Sequence, residues 1–94
     1  MSSAIAAFIA YVHIQTLSNK IKQELDTFRN HPTPEHLTHL STLIHTFNSD
    51  ILAKYDPDIF INLPSSMTTE VFLNLEQVKQ IALALLTTPP LAQP

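Results

Sequence analysis

Apolar residues along this chain recur every three or four positions, which is the helical period, and no stretch alternates with the period of two that marks a half-buried strand. The pattern predicts four helices. The first spans 3–29, with Ser2 or Ser3 as cap. It ends at Asn30-His31-Pro32, because the residue before a proline is pushed out of the α region. The second spans 34–55 and has the strongest start signal. Thr33 is a good N-cap, Pro34 fits the first helical position and Glu35 puts a negative charge in the first turn. Leu37, Leu40, Ile44, Phe47 and Ile51 then mark its buried face, and Asn48-Ser49-Asp50 is a weak spot where it bends or stops early. Asp56-Pro57 repeats the cap-and-proline signal for a short helix over 57–63, closed by Pro64. The last helix follows Ser65-Ser66, either of which can cap it. It covers 67–86 with Val71, Leu75, Val78, Ala82, Leu85 and Leu86 as its stripe.

Three long helices on short connections imply an all-α fold, a small antiparallel up-down-up bundle with the short helix across one end. The expected core adds Ile14, Leu17, Ile21, Leu25 and Phe28 from the first helix. Ninety-four residues make one domain, 1–88, and 89–94 form a Pro-rich C-terminal tail.

The first helix breaks this regularity. At about 100° per residue, Ile14, Leu17, Ile21, Leu25 and Phe28 share one stripe, which meets Ala7 and Ala10 toward the N-terminus. The large residues Ile5, Phe8, Ile9 and Val12 fall on nearly the opposite side, and their line continues into Thr16, Asn19, Gln23 and Asp26. A continuous helix turns those four outward, where a second chain must cover them. A helix broken near His13 packs its halves separately. In the last helix Phe72 and Leu83 lie beside the core stripe and Leu73 points away from it. The expected protein interface is therefore Ile5, Phe8, Ile9 and Val12, in an antiparallel contact between two copies about a two-fold axis, together with Phe72 and Leu83 on the last helix.

Composition sharpens this picture. Apolar residues make up 45% of the chain and charged ones only 14%, well below the quarter that typical domains carry. A bundle so poor in charge exposes apolar area or covers it with a partner. Glycine is absent, which disfavours β-rich folds and phosphate-cradling loops. Cysteine is absent too, so there is no disulfide or thiolate chemistry, and a reducing compartment suits the chain. No segment reaches the ~20 apolar residues of a membrane span. Residues 2–14 lack the Lys and Arg usual on helices that lie on membrane surfaces. Together these favour the cytoplasm.

Five scattered basic residues and a formal charge of −3 give no positive footprint for nucleic acid. Protonating all five histidines adds five charges and takes −3 to +2, so the charge changes sign in mildly acidic solution.

Candidate chemistry is sparse. His36 and His39 stand three apart on a helix, a spacing that can chelate metal, but Glu35 is the only nearby acid in sequence. A solvated polar flank accounts for them, and no metal, cofactor or small-molecule substrate is expected. Asp56 is a helix cap before it is a catalytic acid. Ser65 and Ser66 have no histidine that the sequence brings near. The chain thus reads as non-enzymatic, a protein-protein interaction module of the assembly, adaptor or chaperone type. The order of helices, with a very short third one ending in proline, resembles the layout of nuclease-bacteriocin immunity proteins. That resemblance covers layout alone, since their dense acidic face has no counterpart here. It implies a different role, a small inhibitor that blocks an enzyme.

Overall fold

The computed structural model describes residues 3–87. Over that range the fold is all-α. Helix α1 covers Ser3–Asn30 and α2 covers Pro34–Phe47. A π-helical turn, Asn48–Leu52, follows, then a 3₁₀ segment, Pro57–Asn62, and α3, Ser65–Thr87. No strand occurs among the described residues. The expected tail at 89–94 and a cap at Ser2 lie outside them.

Helix α1 is continuous through His13, so the break is not taken. Its stop is as expected: the His31 N–H bonds Thr27 O at 2.8 Å and Pro32 follows. Helix α2 opens as the sequence predicts, with the His36 N–H donating to Thr33 Oγ1 at 3.2 Å. It does not run to residue 55. Its α geometry ends at Phe47 and one π turn carries it to Leu52, with the Ala53 N–H on Asn48 O at 2.9 Å. Ser49 Oγ donates back to His45 O at 3.1 Å and Thr46 O at 3.2 Å, so a side chain competes for the ladder there. A turn closed over five residues keeps Phe47, Ile51 and Tyr55 nearer one face than α spacing does. Phe47 and Ile51 are both buried.

Asp56 Oδ1 accepts the Asp58 N–H at 3.0 Å and caps the 3₁₀ segment. Helix α3 starts two residues earlier than expected. Neither serine provides the start: the Met67 and Thr68 N–H groups both bond Pro64 O at 3.0 Å. Thr68 Oγ1 reaches back to Phe60 O at 3.0 Å and ties the 3₁₀ segment to α3.

The core runs along one side of α1, from Ala7, Ala10 and Ile14 to Leu17 and Ile21. Leu40, Ile44, Phe47 and Ile51 meet it, as do Phe60, Leu63, Val71 and Val78. The small Ala7 and Ala10 are fully buried, and α1 packs on the 3₁₀ segment as well as on α2 and α3. Leu25, Phe28, Leu37, Leu75 and Leu85, expected in the core, are only half-buried, and Leu86, placed on the same stripe of the last helix, is exposed. Toward its C-terminus α3 stands off from its neighbours. Leu25, Phe28, Ile81 and Leu85 line a groove of ≈ 350 Å³ beside α1. Leu37, Ile44, Ala82 and Leu85 line one of ≈ 370 Å³ beside α2. The molecule is a rod of 55 × 21 × 19 Å.

Candidate protein interface

Helix geometry alone places the expected interface residues of α1. Its buried positions 7, 10, 14, 17 and 21 centre on one side, and positions 5, 8, 9 and 12 centre about 180° away. Accordingly Ile5, Phe8, Ile9 and Val12 are 54, 52, 53 and 46% exposed, while Ala7, Ala10 and Ile14 are fully buried. The four sit on a stretch free of formal charge: from Ser3 to Asn19 there is no Asp, Glu, Lys or Arg, and Lys20 is the first. Phe8 stacks on Tyr11, with ring centroids 6.1 Å apart.

Tyr11 begins a polar seam between α1 and α3. Its hydroxyl donates a short hydrogen bond to Glu70 Oε2. The Gln15 amide donates to Tyr11 Oη at 3.1 Å and to Glu70 Oε2 at 3.3 Å. Asn74, buried, donates to Gln15 Oε1, and Lys22 Nζ donates to Asn74 Oδ1 at 2.8 Å. The Glu70 carboxylate holds the Tyr11 phenol above its ordinary range, and the Gln15 bond works against it. Partners rise in number together along both helices (11 with 70, 15 with 74), so α1 and α3 run parallel, as an up-down-up bundle requires.

Phe72 and Leu83 do not join the α1 face. On α3 they lie on the side turned away from Glu70 and Asn74, the residues that meet α1. Phe72 meets the buried Phe60 edge-on at 6.3 Å and stays 49% exposed; Leu83 is 44% exposed. They belong to a separate surface. Leu73, which the pattern sets apart from the core, is 55% exposed beside Glu70.

The histidine pair is organised by an acid the sequence did not indicate. Glu24 of α1, rather than Glu35, takes His36 Nδ1 on Oε1 and His39 Nδ1 on Oε2, each at 3.2 Å. The His36 ring, which bonds Oε1, therefore carries a proton on Nδ1, since a carboxylate can only accept. The cluster joins α1 to α2, and no group of three metal-binding side chains among the described residues is arranged to hold an ion. His13 Nδ1 sits 3.2 Å from Tyr55 Oη and links α1 to the turn after the π segment. The only sequence signal for these links was the spacing of His36 and His39. Their partners come from other helices, at distances along the chain that no local motif encodes.

Comparison with known proteins finds no family model, no curated protein and no solved structure that matches the chain.

Proposed function

We propose that this chain is a non-catalytic protein-interaction module that self-associates through the outer face of the N-terminal half of α1. One observation carries the reading: Ile5, Phe8, Ile9 and Val12 stand together, each about half exposed, on an unbroken helix segment without formal charge. Full burial of such side chains stabilises by roughly 1.5–3 kcal/mol each, so covering the exposed halves of four gains several kcal/mol. Depletion of charge with enrichment in aromatic residues is the composition of an interface centre. A two-fold pair of identical helices is the commonest way to cover a self-complementary patch. Phe72 and Leu83 form a second contact surface in this reading, separate from the first. We also propose a cytoplasmic location, to which the absence of cysteine is suited. No described helix is long and apolar enough to cross a membrane.

The test is the double substitution Phe8→Asp with Ile9→Asp, examined by light scattering on a sizing column and by circular dichroism. Two charges placed in a dry contact cost several kcal/mol. The variant should keep its helical signal while its mass falls from two chains to one. A wild-type chain that is already a monomer, with a variant that unfolds, would put these residues in the internal core and sink the proposal.

A further inference from the structure

We propose that the second copy docks antiparallel on a face built by α1 and α3 together, with residues 5–12 of each copy over those of the other and Leu73 inside the contact. This rests on the self-association reading above and says how the two copies meet.

Area is the first argument. At their observed exposure the four α1 side chains offer on the order of 400 Å² per copy, or about 800 Å² in a symmetric pair, short of the ~1,200 Å² of stable interfaces. The face must therefore extend. Along α1 it cannot, because the next residues on that line are Thr16, Asn19, Gln23 and Asp26. Sideways it can. Phe8 stacks on Tyr11, and Tyr11 bonds Glu70 of α3. Leu73 lies one step outward from Glu70, on the flank of α3 that continues the outer surface of α1. With Leu73, Tyr11 and the edges of Gln15 and Glu70 the buried area approaches the standard range.

Charge and polarity fix the direction. A parallel pair would lay Asn19, Gln23 and Asp26 against their own copies, stripping water from amides and setting two carboxylates face to face. On α1, an antiparallel pair centred near Phe8 and Ile9 overlaps only uncharged residues. Each Asp26 is then carried away into solvent.

The chain contains no cysteine, so Asp26→Cys gives a single site for a nitroxide label in the otherwise native protein. From the axis near residues 8 and 9 to residue 26 the helix rises about 26 Å, so electron double resonance should read roughly 50 Å between labels. A parallel pair, its helices 8–10 Å apart, would read under about 25 Å. In parallel, Leu73→Asp should raise the dimer dissociation constant roughly tenfold or more. Leu86→Asp, at an 81% exposed position near the far end of α3, should leave it nearly unchanged. A short label distance overturns the antiparallel arrangement while self-association stands. The composite face falls if Leu73→Asp has no effect where Phe8→Asp does. A wild-type chain that is monomeric at every concentration sinks both readings, and if it then pellets with phosphatidylserine-containing vesicles the face belongs to lipid.

Discussion

Ser18 lies on the side of α1 that carries Tyr11, Gln15 and Lys22, fully buried, with its hydroxyl unpaired. Gln77 Oε1 on α3 is enclosed and unpaired as well. A buried hydroxyl without a partner costs about 1–3 kcal/mol of desolvation, and alanine is also the better helix former. Ser18→Ala should therefore stabilise the monomer fold by about 1 kcal/mol, read as a higher urea midpoint with unchanged slope. Tyr11 makes a second residue-scale prediction. Its phenol is held above its ordinary value by the Glu70 carboxylate, so the folded state keeps that proton longer than the unfolded chain does. The resulting stability is present in full below the ordinary phenol range, near 10, and is lost as pH rises through the raised value. Tyr11→Phe should remove that alkaline loss, and denaturation followed across alkaline pH will show whether it does. The sequence supplied little at this scale. The pattern singled out neither Ser18 nor Gln15, and which polar groups they meet depends on the register of α1 against α3. Glu24 illustrates the same point: it reaches His36 and His39 across a helix joint.

Elements were far more legible, because their ends are written in adjacent residues. Thr33-Pro34 and Asp56-Pro57 each combine a side-chain acceptor with a ring that already has helical φ, and each opens its element where the signal stands. The Thr33 bond to the His36 N–H is thus a direct contribution to α2. Thr33→Ala should cost about 1 kcal/mol of unfolding free energy, while Thr38→Ala, on the exposed side of the same helix, should cost almost nothing. Two features were not legible. The π turn at Asn48–Leu52 answers a tertiary demand, the burial of Ile51 beside Phe47, and the sequence signals only that the helix is weak there. The start of α3 at Ser65 depends on the Pro64 carbonyl, which no side-chain preference marks. Periodicity also gives a face without a depth. Leu37 and Leu85 point inward as expected, yet they line open grooves because α3 stands off from both neighbours at that end.

For the whole molecule, the reversal of the apolar face along α1 was readable in full, since it follows from the helical period and an unbroken helix. The separation of Phe72 and Leu83 from that face was not, because it depends on which side of α3 meets α1. Charge is also distributed at this scale. The strip 3–19 has no formal charge, and every Lys, Arg, Asp and Glu lies at residue 20 or beyond. Association through the strip should then be almost blind to ionic strength. Raising salt from about 0.1 M to about 1 M shortens the screening length from ~10 to ~3 Å and should change the dimer dissociation constant by less than about threefold. Net charge acts differently. The sequence isoelectric point is ≈ 5.9, and as the molecule passes through zero charge, solubility should pass through a minimum there. Non-specific clustering of that kind joins charged regions of opposite sign, so added salt should disperse it. Sedimentation equilibrium at neutral pH and turbidity near pH 5.9 separate the two behaviours. A dimer that dissociates steeply with salt at neutral pH would mean that charged groups, and not residues 3–19, make the contact.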